Sequence, residues 1–323
     1  MTGLIVPYTG GSEIERAGAW ATLPDDERRR RAMAAVQAHD GDTLAGLADA
    51  WLTLHGRAGA TVSVHTRAAY RRGIAVLLMA WAQENLLRPR RDAGALWLRQ
   101  MEDERLKPAT IKQRLAAART LYAALRWAGA TEADPLRDAH PSKDKVPPWE
   151  KRQPYEPDEV GRLIATASGD DLALVLLGAH AGLRVSEMLA LRWADVDLGR
   201  RVLVVLHGKG GSPRTVTMSK TLTAALTVWR EACLRNQLGK ARDHIIPYRS
   251  GFSARRRVRL LCAAAGVEPR AIHSLRHSAG TRLMEQTGSL EETARHLGHA
   301  SVETSRVYAK WSNTRLQGSV GEW

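Results

Sequence analysis

Four short groups in the second half of the chain hold side chains able to bind an anion, move a proton or attack an electrophile. Arg184 follows the Gly182 break in Ala181-Gly182-Leu183-Arg184-Val185-Ser186-Glu187. Lys209 occupies the glycine-rich turn Gly208-Lys209-Gly210-Gly211-Ser212-Pro213, with Arg214 just beyond it. In His273-Ser274-Leu275-Arg276-His277, His273 and Arg276 are three apart, a spacing that puts both on one helix face. Leu297-Gly298-His299 is followed, nine residues after the histidine, by Tyr308. Guanidiniums stay protonated and grip oxyanions in pairs of hydrogen bonds. Imidazoles exchange protons near neutral pH, and a phenol becomes a nucleophile once a base or a cationic field draws off its proton. Taken singly, each group also has an ordinary structural reading: a surface arginine, a solvated hairpin tip, a packing tyrosine. His273 and His277 imitate a zinc pair at i,i+4, but the zinc-protease pattern needs Glu after the first His, where this chain has Ser274.

In order and spacing these groups resemble the tyrosine recombinase (phage integrase) family, where an Arg, a hairpin Lys, a His-x-x-Arg, a Leu-Gly-His and a Tyr recur. The resemblance spans residues 156 to 311, and the preceding helices resemble that family's core-binding domain more loosely. It implies a site-specific, Xer-like DNA recombinase that cuts and rejoins strands through a 3′-phosphotyrosine, with neither ATP nor metal and no cofactor. It assigns Arg184 and Arg276 to the scissile phosphate, Tyr308 to nucleophilic attack, His273 to the tyrosine's proton and His299 to a phosphate hydrogen bond. Lys209 then protonates the leaving 5′ oxygen, and Glu187 orients the active-site groups. The implied partners are double-stranded DNA with inverted half-sites and a homo-tetramer on two sites, with or without a second recombinase; the tail 312 to 323 would dock on a neighbour. Two positions depart from the family pattern: Ser274 is often acidic there and Ser212 is commonly Lys, which leaves target preference and turn dynamics open. A type IB topoisomerase-like nicking and closing enzyme shares the chemistry, and a non-catalytic DNA-binding protein shares the fold.

Composition agrees with a polyanionic partner. The 323 residues include 48 Lys and Arg against 34 Asp and Glu, a formal charge of +14 and a pI near 10.3. A surface of that sign gains affinity by releasing counterions condensed on nucleic acid. The basic stretch Arg249, Arg255, Arg256, Arg257 and Arg259, together with Arg214, is the candidate phosphate-contacting set. The two cysteines, Cys233 and Cys262, make neither a disulfide framework nor a zinc ribbon, which fits a reducing cytoplasm. No stretch reaches the length of a membrane span, and no signal peptide is expected.

These side chains need elements to hold them. A mainly α fold is expected, with a helical core DNA-binding domain and an α-rich catalytic domain carrying a small antiparallel β hairpin. Residues 1 to 40 read as a partly ordered arm. Apolar residues at helical spacing predict four or five helices within 41 to 130, among them Leu44, Leu47, Ala48 and Trp51, then Tyr70, Ile74, Leu77 and Trp81. The proline-rich segment 131 to 156 reads as an interdomain linker. The catalytic domain follows over 157 to 323, with strands at 201 to 206 and 214 to 218. Its helix starts are expected at Pro157, and at Ser219, Ser274, Ser289 with Glu292, and Ser301 as caps.

Overall fold

The computed structural model describes residues 12–144, 146–151, 153–206, 213–235, 243–299 and 302–311. The chain divides into two compact units, Met1–Lys145 and Val146–Trp323.

The first unit is all helical among the described residues: α1 (Glu13–Ala21), α2 (Asp25–Gln37), α3 (Gly41–His55), α4 (Val64–Ala80), α5 (Ala93–Asp103) and α6 (Pro108–Trp127). Local chemistry sets the starts. The Asp40 carboxylate accepts from the Thr43 N–H, the Ser63 hydroxyl accepts from the Thr66 N–H, and Pro108 fills a first-turn position whose missing N–H costs nothing. Ile111, Leu115, Ala118, Leu121, Tyr122 and Leu125 repeat at three and four, so α6 buries one long face against α3 and α4.

The expected arm is a correction. Residues 13 to 37 form α1 and α2, and Ala17, Trp20, Ala32, Ala35 and Val36 join the same core. Alanines give a weak apolar signal inside an arginine run. The guanidinium of Arg31 covers the Trp20 ring and that of Arg28 covers Trp127, so part of the run packs on aromatic faces. The expected linker also shrinks. Leu136 is fully buried, and Arg119 donates to the carbonyls of Leu136 and Ala139 at 3.1 and 2.7 Å, which ties the 131 to 139 segment into the first unit.

The second unit holds α7 (Pro148–Lys151), α8 (Pro157–Thr166), α9 (Gly169–Ala179), α10 (Val185–Ala190), β1 (Val196–Asp197), β2 (Val202–Val205), β3 (Arg214–Thr217), α11 (Lys220–Arg235), α12 (Gly251–Ala264), α13 (His273–Thr287), α14 (Leu290–Leu297) and α15 (Arg306–Trp311), the last after a 3₁₀ turn, Val302–Ser305. The sheet is antiparallel in the order β1-β2-β3, with Val202 opposite Thr217 and Val205 opposite Arg214. β1, two residues long, is too short for alternation to reveal. Leu174 to Leu177 of α9 are all buried, and α9 packs on α11, α12 and α13, making it the centre of this unit. Ser219 and Ser289 cap α11 and α14 as expected, but Ser274 does not cap α13. That helix already begins at His273, and Ser274 is buried with its carbonyl accepting from Ser278 Oγ at 3.1 Å. The hairpin tip with Lys209, the Ser301 cap and the tail from 312 lie outside the described residues. Among the described residues no helix is long and apolar enough to cross a membrane.

Candidate active site

The C-terminus of α14 is the anchor. A helix end leaves its last carbonyls without intrahelical partners, at the negative pole of its dipole. Here three successive carbonyls accept from three arginines that come from distant parts of the chain. Arg214 Nε reaches the His296 carbonyl at 3.4 Å, Arg276 Nη2 the Leu297 carbonyl at 2.7 Å, and Arg184 Nη2 the Gly298 carbonyl at 3.2 Å. Gly298 ends the helix in the left-handed conformation, with φ of 67°, a geometry that favours glycine. A Cβ at that position would also lie 2.6 Å from Arg214 Cδ, so the Leu-Gly-His motif needs its glycine twice over.

One carboxylate sits among the three cations. Glu187, nearly fully buried on α10, accepts from Arg184 Nη1 at 2.7 Å and from the Arg184 backbone N–H at 2.9 Å. It also accepts from Arg214 Nη1 and Nη2 at 2.9 and 2.8 Å, and lies 3.8 Å from Arg276 Nη1. Burial works to raise the Glu187 carboxyl, yet the bonds from Arg214 and Arg184 outweigh it and hold the group at about 2. Arg276 is fully buried on α13 and also donates to the Gly182 carbonyl at 2.6 Å. Burial and the neighbouring Arg184 charge push its guanidinium down to about 10, which leaves it protonated at neutral pH.

Tyr308 on α15 is buried beside this cluster. The rings of His299 and His277 both pack on it, each 5.9 Å away between centroids; His299 is nearly parallel at 11°. Burial pushes the phenol above its usual value, and the charges of Arg276 and Arg184 oppose that rise without cancelling it. The hydroxyl is therefore protonated at rest. His299 Nδ1 pairs with Ser305 Oγ at 2.8 Å, and burial, then the surrounding cations, push the ring down to about 4. A neutral imidazole has one donor and one acceptor. To donate from Nε2, His299 must accept from the Ser305 hydroxyl at Nδ1.

The structure brings Arg184, Glu187, Arg276, His299 and Tyr308 together, and His273 reaches the cluster through the His277 ring, edge-on at 4.8 Å. Lys209 lies outside the described residues. The expected DNA contacts separate. Arg255 is exposed and, with His273, Lys151, Gln153 and Arg270, lines a cleft of about 720 Å³; Arg256 is exposed on α12. Arg257 instead clamps Asp171, with Nε 2.7 and 2.8 Å from its two oxygens and Nη2 on one of them, and the Tyr248 hydroxyl donates to the same carboxylate. Arg214, expected on DNA, has its guanidinium committed to Glu187. Gly280 was not singled out in the sequence. A Cβ there would fall 2.6 Å from the Tyr308 ring, and a glycine inside a helix is the one signal that pointed to such an approach. Among the described residues no group of three His, Cys, Asp or Glu could hold a metal ion.

A buried tyrosine beside arginines in cationic excess, on an α-rich unit with a three-stranded sheet, is an arrangement able to hold a phosphate next to a phenol. Comparison with known proteins places it further. Residues 155–315 match the phage integrase family, and residues 58–129 match the phage integrase N-terminal SAM-like domain. The chain is 33% identical over 265 residues to tyrosine recombinase XerC of Xanthomonas campestris pv. campestris strain B100, covering 76% of this chain and 79% of that one. To XerC of Xylella fastidiosa strain 9a5c it is 31% identical over 267 residues, 76% and 86% of the two chains. Its fold is similar to XerH site-specific recombinase bound to palindromic difH substrate, at a TM-score of 0.65, 16% identity and 98% coverage of both chains. It is also similar to a lambda integrase dimer bound to a COC′ core site, at a TM-score of 0.63, 19% identity and coverage of 81% and 75%. The chain belongs to the phage integrase family and is a tyrosine site-specific recombinase.

Proposed function

We propose that Tyr308 attacks the scissile phosphorus of a DNA strand, forming a 3′-phosphotyrosine and releasing a 5′ hydroxyl. A phosphodiester resists attack because its oxygens are already negative, so charge developing in the transition state must be met by fixed cations. Arg184 and Arg276 meet it. The carrying observation is that three buried or half-buried guanidiniums share one carboxylate beside the buried tyrosine, which leaves cationic excess for a phosphate. His299 donates from Nε2 to a non-bridging oxygen. His273, one turn before His277 on α13, accepts the tyrosine proton, and Lys209 gives a proton to the departing 5′ oxygen.

The phosphotyrosine retains the energy of the broken bond, so a 5′ hydroxyl from a second strand displaces Tyr308 and restores its proton without ATP. Exchange of both strands of two duplexes takes four active sites, hence four protomers on paired inverted half-sites. The XerH complex with a palindromic substrate supports that symmetry. Arg255 and Arg256 contact phosphates flanking the cut, and the enzyme works in the cytoplasm on nucleoid DNA.

The test uses nicked suicide substrates built from candidate genomic sites and a denaturing gel. The wild-type protein gives a covalent protein–DNA band in EDTA without ATP, and Tyr308→Phe binds the same DNA without a band. A band retained by Tyr308→Phe, or one that needs metal, overturns the mechanism.

A further inference from the structure

We infer that Arg214 is a positioning residue for cleavage, acting by occupying Glu187 so that Arg276, and the donors that Arg184 does not already give to Glu187, stay available to phosphate. Arg214 opens β3 and pairs with Val205, the last pair of the β2-β3 ladder before the chain leaves for the 206 to 213 segment that carries Lys209. Its side chain points away from solvent, at 12% exposure, and binds Glu187 through both terminal nitrogens. An ionised carboxylate has about four acceptor positions. Glu187 receives two bonds from Arg184 and two from Arg214, so it is saturated. Arg276, at 3.8 Å, is close enough to be attracted and too far for a hydrogen bond.

Loss of Arg214 changes that balance. Two acceptor positions on a buried carboxylate open beside Arg184 and Arg276, and unmet acceptors on a buried charge are costly enough to recruit the nearest free donors. Arg276, and the donors that Arg184 has left for phosphate, are then drawn onto Glu187. The same guanidinium lies over Gly298 and reaches the His296 carbonyl, so its loss also loosens the helix end that presents His299. Arg214 thus ties the base of the hairpin to the phosphate-binding arginines and to the Leu-Gly-His corner.

This inference rests on the Tyr308 mechanism, and its test separates the two. Single-turnover cleavage of a suicide substrate at saturating protein is measured beside the DNA dissociation constant for wild type, Arg214→Ala, Arg214→Lys, Glu187→Gln and Arg214→Ala/Glu187→Gln. Arg214→Ala cleaves ~10²-fold more slowly with a dissociation constant within about 3-fold of wild type. Arg214→Lys recovers only part of the rate, since an ammonium is a point charge without the fork. The double variant cleaves faster than Arg214→Ala, because a neutral amide no longer captures Arg184 and Arg276. A double variant no faster than Arg214→Ala, or a loss of DNA binding that matches the loss of rate, overturns the inference. Thermal unfolding reports which variants fold. If Arg214→Ala does not, the comparison of Arg214→Lys with Arg214→Lys/Glu187→Gln decides by the same rule. No covalent band from wild type is failure of the Tyr308 mechanism instead.

Discussion

Each unit buries an arginine, and the two are compensated differently. In the first unit Arg67, 5% exposed, donates to the Asp49 carbonyl and the Thr53 hydroxyl, and lies among Arg71, Asp49 and Glu13. Arg16 also pairs with Glu13, so three cations there face two carboxylates, and each cation has a carboxylate within ion-pair distance. In the second unit Arg276, fully buried, lies with Arg184 and Arg214 around Glu187, the one carboxylate that ion-pairs with them among the described residues, and one nitrogen of each arginine meets an uncharged carbonyl at the end of α14. A cluster whose cations are nearly matched by carboxylates holds a fold together. An unbalanced one raises the cost of the empty protein and lowers the cost of bringing in an anion, which is how a binding site differs from a structural ion pair.

The sharpest probe of that contrast removes each arginine. Arg276→Leu lowers single-turnover cleavage by ~10³-fold or more while the protein stays folded. Arg67→Leu lowers unfolding free energy by about 1 to 3 kcal/mol through the polar groups it strands, and cleavage below the unfolding transition is unchanged. Equal effects of the two on cleavage would erase the distinction.

Glycines inside helices give a second, smaller contrast. A Cβ at Gly280 meets the Tyr308 ring at 2.6 Å, and one at Gly73 of α4 meets the Ala117 Cβ of α6 at 2.5 Å. Gly280→Ala displaces the nucleophile and slows cleavage by about 10²-fold with DNA binding retained. Gly73→Ala overpacks a helix pair and costs about 1 to 3 kcal/mol of stability, read by urea unfolding, with cleavage kept.

The smallest effect is on protonation. His299 and His180 of the second unit are both pushed down to about 4, chiefly by burial. Their folded values lie below the ordinary one near 6.5, so between pH 6.5 and 4 the unfolded chain binds more protons and stability falls as pH falls. Glu187, held near 2, extends the loss below pH 4.5. Asp49 of the first unit is shifted upward by burial despite Arg71, so its contribution has the opposite sign just above pH 3.8. Imidazole proton NMR should find midpoints near 4 for both histidines; midpoints near 6.5 would remove the electrostatic side of the contrast.

Much of this was readable in the chain itself. The helices α3 to α6 follow from apolar spacing, the starts of α8, α11 and α14 from Pro and Ser chemistry, and the hairpin from alternation. The motif groups named Arg184, Glu187, Arg276, His299 and Tyr308 before any of them touched. Failures have a common cause. The burial of Trp20 and Ala32, the tethering of 131 to 139 by Arg119 and the commitment of Arg214 to Glu187 are long-range pairings without a local signature. Ser274 looked like a cap because its type suits one, and the helix began one residue earlier.

Residue type and spacing therefore determined the kind of chemistry and the elements that carry it, because periodicity, capping and motif order are local properties. Which arginines share a carboxylate, which carbonyls anchor them and how closely Tyr308 approaches Gly280 were decided by tertiary structure. Those facts depend on where α10, β3, α13, α14 and α15 meet, and on burial that sets whether a charge is answered or left for a phosphate.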